Sequence, residues 1–110
     1  MSCSKDEDNN GKVITNYKEA IVGTWSVTYN SRYRTNTDII TFNGKNMYFE
    51  AQCSLSTYRG TYSVVDNVIS LSESSGKYGL DVIVITNMTE SSFVGKGDDY
   101  MGEIKGTRIK

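Results

Sequence analysis

The feature that most constrains this fold is a two-residue alternation of apolar and polar side chains, which begins at Gly23 and recurs to the end of the chain. In GTWSVTY, residues 23–29, Trp25, Val27 and Tyr29 alternate with threonine and serine. Because successive side chains of a strand point to opposite faces, this pattern predicts half-buried β-strands. No connection between them is long enough to hold a crossover helix, so we expect the strands to pair antiparallel.

Short turns join these strands, and they are made without proline. The chain has 10 glycines and no proline, so its turns must use Gly, Asn and Asp, which tolerate a positive φ. Asn43-Gly44-Lys45 is a strong hairpin signal of this kind, and Asp66-Asn67 is a second. The alternation then predicts eight strands, at residues 23–29, 37–43, 46–53, 57–65, 67–73, 79–88, 91–97 and 103–110.

A helical turn is expected over residues 16–23, ahead of the first strand. Asn16 is a suitable N-cap and Glu19 follows three residues later, which is the spacing of a capping box. Gly23 can end the helical segment. The segment is long enough for one or two turns and no more.

Eight sequential antiparallel strands favour an up-and-down barrel, because closure removes the edges that an open sheet leaves unpaired. A two-sheet sandwich has the same periodicity and stays open as the alternative. We predict an all-β, eight-stranded antiparallel barrel over residues 16–110, with a short N-terminal helical turn. An interior of this size is filled by side chains or holds one small ligand. We expect it to be mostly filled, by Trp25, Val27, Tyr29, Ile40, Phe42, Met47, Phe49, Tyr62, Val64, Ile69, Leu71, Val82, Val84, Phe93 and Ile104.

Composition excludes several classes of function. The chain has no histidine, which removes histidine acid–base catalysis, the Ser-His-Asp and Cys-His arrangements, and most zinc and copper sites. Its net charge is −1, with acids and bases mixed along the chain, so it lacks the basic stripe that nucleic acid requires. We therefore expect a protein that is not an enzyme, needs no metal or cofactor and binds no nucleic acid.

The chain opens with MSCSKDEDNNGK, which has no apolar residue between Cys3 and Val13. Such a segment cannot join a packed core, so we interpret residues 1–15 as a disordered tether. The cysteine in it is then either incidental or a point of chemical attachment. A disulfide from Cys3 to Cys53 would order little at the tether end, and we interpret Cys53 as a small core residue.

A short helical turn that leads into Gly23-Thr24-Trp25, at the start of a strand meander, resembles the lipocalin-like (calycin) family of the small bacterial type. That family carries Gly-x-Trp on its first strand, with the Trp at the closed base of the barrel. An arginine of its last strand packs over this Trp, and Arg108 stands in the corresponding place. The resemblance implies that Trp25 and Arg108 close the barrel. The chain is shorter than classical lipocalins and lacks their disulfide and C-terminal helix.

In barrels of this family the loop after the first strand lies at the open mouth. Here the loop is NSRYRTN, residues 30–36, with Arg32, Tyr33 and Arg34 at its centre and Tyr29 just before it. These side chains offer hydrogen bonds and stacking to an anionic or sugar ligand. We expect the four residues to form a ligand site at the mouth; ordinary solvated loop residues are the alternative.

Ser2-Cys3 is similar to the end of a bacterial lipobox, in which a small residue precedes the cysteine that receives diacylglycerol. The acidic run after Cys3 is similar to the export signal of Bacteroidetes surface lipoproteins. The resemblance implies an upstream signal peptide, lipidation of Cys3 and a surface-exposed position on the outer membrane. The alternative is an ordinary disordered terminus with a chance cysteine.

Together these features predict a monomeric cell-envelope lipoprotein that touches the membrane only through its lipid anchor. Its binding domain would take a small apolar or glycan ligand, or a protein partner. A first alternative is a small β-barrel protease inhibitor that inserts its N-terminal segment into an active site. A second is a glycan hydrolase with a carboxylate pair made by Glu103 with Asp98 or Asp99, which would lie about 5–9 Å apart in a cleft.

Overall fold

The computed structural model describes residues 14–30, 35–97 and 102–110. Over these ranges the chain forms one helical turn and eight strands, numbered here in chain order. Their bounds are α1 Tyr17–Ala20, β1 Gly23–Asn30, β2 Thr35–Asn43, β3 Tyr48–Cys53, β4 Ser56–Val65, β5 Val68–Glu73, β6 Val82–Met88, β7 Ser92–Lys96 and β8 Glu103–Arg108.

The strands close into one barrel. Each strand pairs antiparallel with its neighbours in sequence, and β1 also pairs with β8. The register sets Trp25 of β1 between Ile40 of β2 and Arg108 of β8. This arrangement confirms the predicted eight-stranded antiparallel barrel and excludes the two-sheet sandwich, in which the first and last strands would not pair.

The meander gives the barrel two different ends. We call "the base" the end that carries α1 and the β2–β3, β4–β5 and β6–β7 connections. We call "the mouth" the opposite end, where the β1–β2, β3–β4, β5–β6 and β7–β8 connections lie. Any residue of a strand can therefore be assigned to one end or the other from its place in the sequence.

Strand β4 exchanges pairing partners around Gly60. Its first half pairs with β3 and its second half with β5, and Gly60 stands opposite both Phe49 and Glu73. A Cβ at Gly60 would collide with the backbone of Ser72, so only glycine permits this close approach of β4 to β5.

The core occupies the barrel interior. Aromatic pairs cross it in edge-to-face contacts, Trp25 with Phe93 at 5.1 Å and Phe42 with Tyr62 at 4.9 Å between ring centroids. The buried apolar residues are Ile21, Trp25, Val27, Tyr29, Ile40, Phe42, Phe49, Ala51, Tyr62, Ile69, Leu71, Tyr78, Leu80, Ile83, Ile85, Met88, Phe93 and Ile104.

The predicted inward face of β6 was wrong. Val82 and Val84 are half-buried, whereas Ile83 and Ile85 are buried in the interior. The run VIVI is apolar at every position, so alternation alone does not select a face. A register shift after Ile85 then brings Met88 inward as well.

Two predicted interior residues are less buried than expected, and the predicted capping box was wrong. Met47 lies in the β2–β3 turn with φ 55°, and both it and Val64 are half-buried and pack against the core. Asn16 has φ −90° and ψ 78° and makes no cap bond to the backbone. Its Nδ2 instead donates to Glu19 Oε1 at 2.6 Å, so no capping box forms. Within the described ranges, no helix has the length and apolarity to span a bilayer.

Candidate functional site

Asp38 is the charged side chain that the described barrel buries completely, with 0% of its surface exposed. It lies on β2, where it shares the inward face with Ile40 and Phe42. Because strand side chains alternate, two apolar residues at this spacing force the acid inward. Asp38 is the fourth residue of β2 from its mouth end, and it pairs with Val27 of β1, three residues before Asn30 ends that strand.

Two tyrosine hydroxyls donate to the same oxygen of Asp38. Tyr29 on β1 donates to Oδ2 at 2.7 Å, and Tyr78 in the β5–β6 connection donates at 2.6 Å. Burial, and then the hydrogen bond to Asp38, raises the pKa of both phenols. Both hydroxyls therefore keep their protons and remain donors.

The other oxygen of Asp38 is left without a hydrogen bond. Oδ1 is buried and has no partner among the residues that the structure describes, and the same is true of the hydroxyl of Tyr62. Each hydrogen bond to a charged group contributes about 1.5–3 kcal/mol, whereas removing a carboxylate from water costs several kcal/mol. Two phenols to one oxygen offset only part of that cost, which marks Oδ1 as a place where a further group belongs.

The β5–β6 connection, residues 74–81, lies at the mouth and reaches Asp38 through Tyr78; we call it "the mouth segment". It is not a strand, yet Tyr78 and Leu80 are only 5% and 1% exposed. The ring of Tyr78 stacks on Tyr58 at 5.1 Å between centroids and lies 6.1 Å from that of Phe49. A side chain from a connection thus occupies the interior beside Asp38.

Glu73, the last residue of β5, holds the mouth segment in place. Its carboxylate accepts the backbone N–H groups of Ser75, Lys77 and Tyr78, at 2.8, 2.9 and 3.0 Å, and also the hydroxyl of Ser75. These bonds, those from Ser75 first, lower the pKa of Glu73 from 4.5 to about 2. The turn that carries Tyr78 therefore depends on one ionised side chain.

A groove of about 590 Å³ lies on the outer wall of the barrel, beside Gly60 of β4. Its lining includes Tyr48, whose surface is 55% exposed. It also includes Glu50 and Arg59, which pair at 2.8 Å between Oε2 and Nη2. A smaller groove of about 200 Å³ lies between β6, β7 and β8, also on the outer wall. Both grooves are separate from the Asp38 site.

At the base, Arg108 covers Trp25. The guanidinium carbon lies 4.4 Å from the centroid of the Trp25 ring, within the range of a cation–π contact. The guanidinium also donates to the carbonyls of Ala20, Val22 and Glu90 at 2.6, 2.9 and 2.7 Å. One side chain of β8 thus ties together α1, the start of β1 and the β6–β7 connection.

The indole N–H of Trp25 also has a hydrogen-bond partner. The residue is fully buried, and its indole Nε1 donates to the carbonyl of Ile21 at 2.8 Å. Phe93 packs edge-on against it. The Phe93 ring fits there because Gly106 has no Cβ, which would otherwise collide with the ring. The structure thus brings the predicted pair of Trp25 and Arg108 together at the base.

The predicted ligand residues at the mouth are only partly within the described structure. Tyr29 is buried and its hydroxyl is engaged by Asp38, so it faces the interior rather than an open surface. Arg32, Tyr33 and Arg34 lie outside the described residues, as does Cys3. Cys53 is half-buried at the end of β3 and packs against the core.

Of the three acids considered for a hydrolase, the structure describes only one. Asp98 and Asp99 lie outside the described residues. Glu103 is exposed on β8, where its Oε1 lies 3.5 Å from Nζ of Lys105. In the described ranges, no three His, Cys, Asp or Glu residues group closely enough to hold a metal ion.

Asp38, Tyr78 and Glu73 were not predicted as site residues. The position of Asp38 was readable, because it shares its parity with Ile40 and Phe42 in TDIITFN. Tyr78 and Glu73 carried no such signal, since a connection has no periodicity that would send one of its side chains into the core.

The comparison with protein families gives one match. The model of a lipocalin-like domain family matches residues 21–95, which is more than half of the 110-residue chain. The matched range contains Trp25, Asp38 and Tyr78 and ends before Arg108. Neither the curated proteins nor the solved structures gave a match. The chain belongs to the family of lipocalin-like domains.

Proposed function

We propose that this protein is a non-enzymatic binding protein of the bacterial cell envelope, anchored by a lipid on Cys3, whose barrel takes a small ligand beside Asp38. The family supports a binding role, since barrels of this kind typically hold small ligands. The lipid anchor rests on the Ser2-Cys3 pattern and the acidic run after it. A polar tether of this kind would hold the barrel clear of the bilayer.

The observation that carries the ligand site is the lone oxygen of Asp38. Oδ1 is buried without a partner among the described residues, close to the mouth, under a segment that is not part of the sheet. A protein interior normally leaves such a group unpaired only where something else binds, be it a ligand or an ordered water. The two tyrosine hydroxyls that donate to Oδ2 support the proposal, because they hold the carboxyl group in one position.

Binding on the outer wall is a second candidate function. The groove of about 590 Å³ combines an exposed aromatic ring, Tyr48, with the Glu50–Arg59 pair. An aromatic face beside polar side chains suits a glycan or a loop of a partner protein. An aromatic truncation, Tyr48→Ala, would abolish binding by this groove and leave binding at Asp38 unchanged.

The ligand site is tested by native mass spectrometry of the protein purified from its source. We expect wild type to retain a small molecule and the variant Asp38→Asn, purified in the same way, to lose it. A molecule retained equally by both proteins would contradict the Asp38 site. If the molecule were lost from Tyr48→Ala and kept by Asp38→Asn, the ligand would bind in the outer groove instead.

The anchor is tested by metabolic labelling with a fatty-acid analogue in a bacterial host that processes lipoproteins. The gene with its natural upstream segment should give labelled wild type and unlabelled Cys3→Ser. The lipidated protein should also partition into the detergent phase, because one diacyl group with an added acyl chain anchors a protein stably. Equal labelling of both proteins would end the lipoprotein hypothesis.

A further inference from the structure

We propose that the ligand of the Asp38 site carries a protonated primary amine on an aromatic or similarly flat body, and that it enters by displacing Tyr78. This inference rests on the proposed function and adds the chemical class of the ligand and the way in which the site opens.

The site has a negative charge and, among the described residues, no matching positive one. Asp38 is fully buried, and the two side chains that donate to its Oδ2 are neutral phenols. The ion pairs formed within the described ranges, Arg59 with Glu50 and Lys105 with Glu103, both lie on the exposed outer surface. A water or a hydroxyl would give Oδ1 a hydrogen bond but no charge, whereas a cationic donor supplies both.

The rings around Asp38 suit an ammonium group. Tyr29 and Tyr78 contact the carboxyl through their hydroxyls, Tyr58 stacks on Tyr78, and Phe49 lies 6.1 Å from Tyr78 between centroids. Aromatic rings attract cations, and most strongly where water is excluded. A carboxylate surrounded by tyrosine and phenylalanine is therefore a better match to an organic cation than to a neutral or anionic ligand.

Tyr78 is the residue that can leave. It lies in the mouth segment, so its withdrawal breaks no strand pairing. The segment contains Gly76, with φ +73°, and Gly79, and around each of them the space where a Cβ would lie is open. Tyr29, in contrast, is fixed in β1 between β2 and β8. Displacement of Tyr78 would free a space of the size of a phenol directly beside the carboxyl.

The number of hydrogen bonds favours a primary amine. When Tyr78 leaves, Oδ2 loses one of its two donors, and Oδ1 still has none. A primary ammonium has three N–H donors and can serve both oxygens at once, whereas a quaternary ammonium has none. The body of the ligand would then take the place of the Tyr78 ring, against Tyr58 and Phe49.

The test is isothermal titration of the complete chain with three probes of similar shape. The probes are 2-phenylethylamine, the neutral analogue 2-phenylethanol, and the quaternary N,N,N-trimethyl derivative of the amine. We expect the amine to bind at least about tenfold more tightly than either analogue, which is the effect of about one charge-assisted hydrogen bond. Equal affinities for the amine and the alcohol would overturn the inference.

Two variants assign that preference to the residues named here. Asp38→Asn should weaken binding of the amine by about tenfold or more and leave the alcohol nearly unchanged. Tyr78→Ala should tighten binding of the amine, because the ligand no longer displaces the ring. Lys105→Ala, on the exposed outer surface of β8 and outside both grooves, is the matched control and should change neither.

The same experiment separates this inference from the proposed function. If Asp38→Asn does not fold, Tyr78→Ala still decides, since weaker or unchanged amine binding in that variant would contradict displacement. If neither wild type nor Tyr78→Ala binds the amine, the inference fails. If a neutral molecule is retained by wild type and lost from Asp38→Asn, the binding function stands and only the amine is wrong.

Discussion

The base and the mouth of this barrel treat buried polar groups in opposite ways. At the base, the indole N–H of Trp25 has an acceptor in Ile21, and the guanidinium of Arg108 donates to three carbonyls, two at or just after the end of α1 and one in the β6–β7 connection. At the mouth, Asp38 is buried with one oxygen unpaired by any described residue, and its neighbour Tyr78 comes from a connection.

The difference separates stability from binding. A buried polar group that is fully paired holds elements together, whereas one that is half-paired costs free energy until a ligand completes it. Binding sites are commonly the places where a fold gives up stability in this way. The base should therefore be sensitive to any loss of a contact, and Asp38 should not.

The largest effect is expected at the base, from Trp25→Ala. The side chain is fully buried, packs edge-on against Phe93 and donates a hydrogen bond to Ile21. Removal of a buried aromatic ring costs about 3–5 kcal/mol. The measurement is the free energy of unfolding from urea denaturation followed by circular dichroism. A loss below about 1 kcal/mol would show that Trp25 does not support the closed base.

A smaller loss is expected from Arg108→Ala. The cation–π contact and the bonds to the carbonyls of Ala20, Val22 and Glu90 would disappear, which should lower stability by about 1–3 kcal/mol. Trp25 would gain contact with water, so its fluorescence should shift to the red. Both changes can be read in one denaturation series that follows fluorescence.

The matched control for Arg108→Ala is Arg59→Ala. Arg59 is also a strand arginine, but it pairs with Glu50 and its side chain is 73% exposed on the outer wall. A surface pair of this kind contributes about 0–1 kcal/mol, and it lies far from the Trp25 ring in the meander. If Arg59→Ala and Arg108→Ala gave the same shift in midpoint, barrel closure by Arg108 would be refuted.

At the mouth, acid should release the mouth segment before the barrel unfolds. The pKa of Glu73 is lowered in the folded state to about 2 from 4.5, so its contribution is complete above pH 4.5 and is lost as the pH falls toward 2. Hydrogen exchange at the amides of Ser75, Lys77 and Tyr78 should accelerate in that window relative to amides of β1.

The variant Glu73→Gln checks the same anchor at neutral pH. Gln keeps one acceptor oxygen and loses the charge, so the three amides should exchange faster than in wild type at pH 7 while the strand amides keep their rates. Unchanged exchange at all three positions would show that the segment is held by Tyr78 and Leu80 alone.

The sequence predicted the barrel well because the alternation of side chains and the turn residues are local signals. The contact of Trp25 with Arg108 at the base was also predictable, because the motif Gly23-Thr24-Trp25 resembles a family in which an arginine of the last strand packs over this Trp. The inward face of β6 was not predictable, because Val82 to Ile85 are all apolar and a later bulge shifts the register.

The candidate site was harder to predict for a different reason. Acidic side chains are usually exposed. Asp38 points inward because it shares a face of β2 with the buried apolar residues Ile40 and Phe42. Tyr78 reaches Asp38 from 40 positions away in sequence. A contact between a strand and an irregular connection leaves no pattern in either segment.

The most direct test of this contrast is the stability of Asp38→Asn, measured beside Arg108→Ala by urea denaturation. Asparagine has nearly the same shape and its oxygen can still accept from Tyr29 and Tyr78, but the buried charge is gone. We predict a free energy of unfolding equal to or above that of wild type, while Arg108→Ala loses about 1–3 kcal/mol. A loss in Asp38→Asn as large as that in Arg108→Ala would show that Asp38 holds the barrel together and is not kept for a ligand.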